Sequence, residues 1–336
     1  MKALLKKCIV VASVIADFVL MPFTVVASAW LKHVRRIGVH KMKVSRLVFE
    51  KIGVFPIRDH YYEPLFQKTR LRRSLRDVRP LPGVDLNVSG QLALLEKFHF
   101  QEELLSLPLE PAGALEFCYH NGAFESGDAE FLYNVIRLYK PKRLIEIGSG
   151  HSTRMAVKAI AMNRQEDASC VCEHTCIEPY EQPWLEQLGI TVVRKPAEEV
   201  DKALFASLGE NDILFIDSSH IIRPQGDVLF EYLEVLPTLR PGVLVHVHDI
   251  FTPRDYLDEW VVGEVKFWNE QYLLEAFLTC NREFRVIGAL NFLFHHHPDQ
   301  LGKACPVLAS EKAWRKPGSF WMVRNSAKDG AAADFS

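Results

Sequence analysis

The chain has 336 residues, with 48% hydrophobic and 24% charged side chains, the balance of a globular protein with an ample core. Its formal net charge of -2 removes any global electrostatic case for nucleic acid as a partner. Seven cysteines, an odd number without framework spacing, argue against a disulfide scaffold and for reduced thiols in a cytoplasmic catalytic portion.

Residues 1–50 form a zone of their own. The run 8–31, CIVVASVIADFVLMPFTVVASAWL, is about long enough to cross a bilayer as a helix. Only Asp17 is charged, and Pro22 is expected to kink it. Lys2, Lys6 and Lys7 precede the run, and Lys32, Arg35, Arg36, Lys41, Lys43 and Arg46 follow it. The heavier positive charge on the C-terminal side predicts a membrane-associated protein whose main domain faces the cytoplasm. Two other readings compete. Asp17 and Pro22 suit a helix lying in the interface. Ala27-Ser28-Ala29 resembles a signal-peptide cleavage site, but the apolar run is long for that and carries an acid.

Residues 51–125 read as a cap or linker. They mix short apolar runs with turn signals such as Arg79-Pro80-Leu81-Pro82-Gly83, and 90–98 has helical spacing. Residues 126–325 alternate strands and helices. Strands are predicted at 143–147, ending at Glu178, at 190–193, 213–217, 243–249, 284–287 and 320–323. Helices are predicted over 152–161, 226–239 and 269–278. Nearly all-apolar strands alternating with helices predict an α/β fold with a parallel sheet covered on both faces. The tail 326–336 reads as flexible. No internal repeat stands out.

Four acids, Glu146, Glu178, Asp217 and Asp249, stand at the C-terminal ends of successive predicted strands. In open α/β sheets ligands bind just beyond those ends. The first tip, Glu146-Ile147-Gly148-Ser149-Gly150-His151-Ser152, is a strand, a glycine turn and a helix start. Glycine lets backbone approach a ligand, and the helix start offers N–H groups to a carboxylate. A dinucleotide fingerprint would want a third glycine near Thr153, and none is there. A tight turn without a ligand is the plainer reading.

From about Asp128 to Val323 the chain resembles the class I S-adenosylmethionine-dependent methyltransferases, in the group of macrocin-type and catechol-type O-methyltransferases. The segments LIEIGSGHST, CIEPY, DILFIDSSH and LRPGVLVHVHDI carry the likeness. The resemblance implies a Rossmann-like, seven-stranded, mostly parallel sheet whose last strand is antiparallel. It implies that Glu146 faces the ammonium side of the methionine moiety, and that Gly148 and Gly150 let the backbone approach that moiety. Ser152 would meet its carboxylate, and Glu178 would take the ribose hydroxyls. Glu198, or its neighbour Glu199, would meet the adenine amino group. The long spacing from Gly148 to Glu178 is assigned to an insertion around residues 163–174.

On the acceptor side, metal-dependent relatives hold a divalent cation at the positions of Asp217, His248 and Asp249. An imidazole among the ligands favours manganese over magnesium. His220 stands where catechol-type relatives place a lysine base, and an imidazole titrates near neutrality. His220 as base, with His248 next, competes with a plain helix-capping role. The reaction expected is O-methylation of a small-molecule or glycan hydroxyl, including one carried on a membrane lipid. A non-catalytic membrane-bound module retaining the fold is the alternative, and N-methylation a minor variant. Nothing in the sequence specifies an oligomeric state.

Four further features have readings of their own. Cys170, Cys172 and Cys176 with His174 hint at zinc, without a standard spacing. His295-His296-His297 reads as a solvated loop. Trp260, Trp268 and Tyr272 would line an acceptor pocket or pack as core. Residues 121–128 read as a mobile loop closing over the donor. Residues 59–63, Asp-His-Tyr-Tyr-Glu, have no assigned role.

Overall fold

The computed structural model describes residues 2–113, 115–180 and 182–326. The tail expected from residue 326 lies, from 327 onward, outside the described residues. The chain divides into two compact units, Met1–Arg73 and Ser74–Ser336.

The first unit opens with helix α1, Lys2–Ile37, which continues through Pro22. Its apolar side chains between Ile9 and Val26 are exposed on every side. The stretch from Lys7 is long and apolar enough to cross a membrane by length and composition. A second helix, α2 (Lys43–Ile52), stops at Gly53, which takes the left-handed conformation (φ 78°). The segment 59–63 gains a role here. Arg35 Nε and Arg58 Nε reach the two oxygens of Glu63 at 2.9 and 2.8 Å.

The second unit is built on a seven-stranded sheet. In chain order its elements are α3 (Val88–Leu95), α4 (Gln101–Leu105), α5 (Asp128–Tyr139), β1 (Arg143–Ile147), α6 (His151–Glu166), β2 (Glu173–Ile177) and β3 (Thr191–Val193). Then follow α7 (Lys202–Ala206), β4 (Ile213–Ile216), α8 (Asp227–Phe230), β5 (Leu244–Val247), α9 (Glu270–Leu278) and β6 (Phe284–Ala289). The chain closes with α10 (Leu290–His296), α11 (Pro298–Ala304), α12 (Pro306–Glu311) and β7 (Phe320–Arg324). The strand order is β3-β2-β1-β4-β5-β7-β6, and β7 runs antiparallel to both its neighbours.

Strand side chains alternate between the two sheet faces. One face carries the rows Leu144, Ile213, Leu244 and Phe215, Trp321, under Phe131 and Val135 of α5 and Met155 and Ala159 of α6. The other carries Ile145, Leu214, Val245, Met322 and Ile147, Ile216, Val247, Phe320, under Tyr232, Val235 and Leu274. Residues from 74 onward join the same core: Leu94, Leu95, Phe98 and Leu104 pack on the α5 side.

Two expectations are corrected. The helix predicted over 226–239 is three pieces: α8, a π-helical turn Glu231–Val235 and a 3₁₀ turn Leu236–Thr238. Pro237 lacks the N–H that would continue an α-helix. His295 and His296 are not in a loop, and His297 is the single residue between two helices. The apolar run from β6 continues directly into α10, which ends with His295 and His296.

A buried carboxylate ties α12 to the start of α5. Glu311 accepts from Ser126 Oγ at 2.7 Å and Arg315 Nε at 2.8 Å, and meets His120 Nε2 at 2.5 Å. Burial alone would raise its carboxyl, but these donors outweigh it and hold the group at about 2. The folded value lies below the unfolded one, so the stabilisation is present above pH ~4.5 and is lost as pH falls toward ~2. Glu311→Gln is therefore expected to cost about 2–3 kcal/mol at neutral pH. Urea melts of the two proteins should converge across that acid window; parallel curves would exclude this role for Glu311.

Candidate active site

The sheet order reverses between β1 and β4, and the ends of these strands meet there. At Gly148 the chain takes φ 76°, and a Cβ would lie 1.9 Å from the Asp217 carbonyl oxygen. Only glycine fits such an approach. The Gly148 N–H donates to Ile177 O at 3.0 Å and the Asp217 N–H to Ile147 O at 2.8 Å, so three strand tips are laced together. Gly150, by contrast, is extended (φ 179°) and has open space where a Cβ would be. Its N–H donates to Thr153 Oγ1 at 3.0 Å, which caps α6.

Beyond these tips lies a cleft of about 530 Å³, within the usual size of ligand sites. Its walls include Gly148, Ser149, Glu178, Glu198, Asp217 and Asp227. The Tyr180 N–H donates to Glu178 Oε1 at 2.9 Å. Asp227 accepts from the Ser219 N–H at 2.9 Å and from Ser219 Oγ at 2.7 Å. A second cleft, about 360 Å³, is bounded by Asp128, His248, Asp249, Trp260, Trp314 and Arg315, among others.

Between the clefts stands a knot of acids and imidazoles. His248 Nδ1 is 3.4 Å from Asp217 Oδ1 and 3.7 Å from Asp249 Oδ1, and its Nε2 is 3.7 Å from Asp128 Oδ2. His220 Nε2 is 3.3 Å from Asp217 Oδ1 and 3.5 Å from Asp249 Oδ2. The other ring nitrogen of His220 meets Glu270 Oε2 at 2.8 Å, while the Tyr232 hydroxyl donates to Glu270 Oε1 at 3.2 Å. His220 and Asp249 both sit at positive φ, 60° and 57°, a conformation that clusters at functional sites.

The electrostatics follow from this crowding. Burial pulls the His220 imidazole down, but its bonds to Asp217 and Glu270 prevail and raise it well above the ordinary histidine range. His248 is raised likewise, against burial, by Asp249 and Asp217. Burial would raise Asp217; the charge of His248 and the bond to His220 instead hold it well below the carboxylate range. Burial lifts Asp249 above that range, against the pull of His248 and His220. Asp217, His248 and Asp249 present three ligand atoms within 4.8 Å of one another. Two carboxylates with one imidazole form a donor set that a divalent cation of the manganese type accepts.

The sequence-predicted residues divide accordingly. Gly148, Glu178, Glu198 and Asp217 come together on the first cleft, and Glu198 rather than Glu199 faces it. His248 and Asp249 line the second. Glu146 is not on the cleft. It precedes the last residue of β1, so its side chain turns to the sheet face beneath α6, wholly buried. Ser152 is buried in the first turn of α6 and does not line the cleft, and Gly150 needs no glycine conformation. His220 borders neither cleft, and its ring nitrogens face Asp217, Asp249 and Glu270. Trp260 lines the second cleft, whereas Trp268 packs on the His220 ring at 4.4 Å. The Tyr272 hydroxyl donates to Asp255 at 3.1 Å. The loop expected to close over a donor lines the second cleft instead, through Gly122, Ala123, Glu125 and Ser126. It is ordered by Asn121 Oδ1, which accepts the N–H groups of Ala123 and Phe124 at 2.9 and 2.8 Å. Sequence reasoning missed Asp128, Asp227, Glu270 and Trp314. Only Asp128, in Ser-Gly-Asp at a helix start, carried a local signal.

Comparison with known proteins agrees with this geometry. Residues 145–250 match the family model described as a methyltransferase domain. An uncharacterized protein of Archaeoglobus fulgidus is 32% identical over 174 residues, spanning 48% of this chain and 76% of the relative. Among solved structures, an O-methyltransferase from Bacillus cereus in complex with SAH is 12% identical. That likeness has a TM-score of 0.35 and covers 70% of this chain and 91% of the other. Residues 145–250 thus form a methyltransferase domain.

His220→Asn leaves Glu270 buried without its ion partner. A loss of about 3 kcal/mol in urea unfolding is expected. Unchanged stability would mean that His220 is not held as an ion pair.

Proposed function

We propose that the protein transfers the methyl group of S-adenosylmethionine to a hydroxyl oxygen of a small molecule or glycan. The observation that carries this reading is the adjoining of two clefts at one acid: Asp217 lines the first and lies 3.4 Å from the His248 ring of the second. The donor occupies the first cleft. Glu178 accepts the ribose hydroxyls, as a carboxylate with two oxygens can. Glu198 meets the adenine amino group, and the backbone at Gly148 and Ser149 borders the methionine moiety.

The acceptor occupies the second cleft. The indole of Trp314 is 65% exposed, and with Trp260 it offers flat apolar faces beside polar groups, a pairing suited to a ring-shaped polyol. The hydroxyl oxygen attacks the methyl carbon in line, the carbon–sulfur bond breaks, and S-adenosylhomocysteine leaves. Most of the acceleration comes from alignment, because the sulfonium methyl is already activated. The hydroxyl proton passes to the Asp249 carboxylate, which borders the acceptor cleft and which His248 positions through its ion pair at 3.7 Å; His220 borders neither cleft. A divalent cation on Asp217, His248 and Asp249 would supply Lewis-acid polarisation of the acceptor oxygen. Helix α1 tethers the protein to a membrane, with the enzyme on the cytoplasmic side. That placement favours acceptors carried on lipid.

Calorimetry with S-adenosylmethionine tests the donor half. Wild-type protein should bind, and Glu178→Ala should bind at least ~10-fold more weakly, a difference of about 1.4 kcal/mol. Failure of folded wild-type protein to bind would overturn the reading. For the acceptor half, His248→Asn should lower kcat by ~100-fold or more while leaving donor affinity in place. Mass spectrometry of the product should locate the methyl on oxygen, and turnover unaffected by chelator would remove the cation. Alkaline carbonate extraction of cell membranes should leave the full chain in the pellet; release into the supernatant would count against a spanning anchor.

A further inference from the structure

Beneath the β1 turn, on the sheet face covered by α6, lies a second group of ligand-type side chains. Glu146 on β1 pairs in register with Cys176 on β2, and His174 stands two residues earlier on the same face of β2. All three are buried. His174 Nε2 lies 3.2 Å from Glu146 Oε2, Cys176 Sγ 3.1 Å from the same oxygen, and Sγ 3.6 Å from Nε2.

The bonding within the group is lopsided. Thr153 Oγ1 also donates to Glu146 Oε2, at 2.7 Å, so three groups crowd one oxygen. The other oxygen, Oε1, is buried with no partner, and so is His174 Nδ1. A hydrogen-bonded carboxylate would share its donors between both oxygens, since leaving one bare in the interior costs about 1–3 kcal/mol or more. A cation at the centre accounts for the crowding. Bond lengths of about 2.3 Å to sulfur and 2.0–2.1 Å to nitrogen or oxygen put neighbouring ligands of a tetrahedral ion about 3.3–3.6 Å apart. The spacing in the group is close to that of one tetrahedral face. Glu146 Oε1 or a water is left for the fourth position.

We propose that Glu146, His174 and Cys176 form a structural zinc site that pins β1 to β2 directly behind the glycine turn. A thiolate and an imidazole select zinc over magnesium or calcium. Binding releases the Cys176 thiol proton to solvent. Thr153 is the outer partner: it donates to Glu146 and accepts the Gly150 N–H at 3.0 Å, which links the ion to the turn bordering the first cleft. Of the cysteines whose spacing hinted at zinc, only Cys176 takes part. Cys170 and Cys172 are partly exposed and belong to no such group among the described residues. The proposal is independent of the acceptor and of the cation between the two clefts.

The test uses the full chain purified in detergent without chelator. Elemental analysis should find zinc at one ion per chain. Cobalt exchanged into the site should give a thiolate-to-cobalt charge-transfer band. Cys176→Ser and His174→Gln should each lose the ion, and Cys176→Ser the band, while the double variant Cys170→Ser/Cys172→Ser keeps both. Should the first two variants fail to fold, the wild-type cobalt spectrum decides. Wild-type protein with neither stoichiometric metal nor the band overturns the proposal. So does metal retained at this stoichiometry by folded Cys176→Ser, or metal lost in the Cys170/Cys172 double variant.

Discussion

The second unit turns on one steric constraint: the backbone at Gly148 rests against the carbonyl of Asp217. No side chain fits between them. Because β1 and β4 are adjacent although far apart in sequence, this contact fixes where the sheet order reverses and where the crevice opens. It also aims the Asp217 side chain at the boundary between the two clefts. The hydrogen bonds from Gly148 to Ile177 and from Asp217 to Ile147 then hold Glu178 and Asp217 on one rim.

Around that rim the protein concentrates charge of both signs. Four carboxylates, Asp128, Asp217, Asp249 and Glu270, face two imidazoles at distances from 2.8 to 3.7 Å. Only the His220–Glu270 contact is short enough for a well-formed hydrogen bond. The remaining contacts are looser, so the cluster keeps its fixed charges close together without closing on itself. Preorganised charge of this kind is the largest single contribution in many enzymes.

Much of the sheet was legible in the sequence. All seven strands appear near their predicted places, and β1, β4 and β5, parallel to one another and buried, read as nearly continuous apolar runs. The fault at 226–239 came from giving periodicity precedence over Pro237. Glu146 was misplaced for a reason also present in the sequence. It is separated from Gly148 by Ile147, and side-chain alternation turns it to the opposite face from Ile147, into the core. What could not be read were partners far along the chain. Glu270 lies fifty residues beyond His220, so nothing near His220 announces that its second nitrogen is held. Asp128, at the start of α5, and Trp314, between α12 and β7, lie far from His248 in sequence, and only folding brings them beside it.

The two clefts draw on different stretches of chain. The first is walled by residues between Ile147 and Asp227, whereas the second relies on two connections, Gly122–Ser126 and Trp314–Pro317, outside that span. Insertion or exchange in those outer connections can therefore reshape the second cleft while the walls of the first stay intact. A scaffold divided in this way can vary one cleft from protein to protein while holding the other fixed.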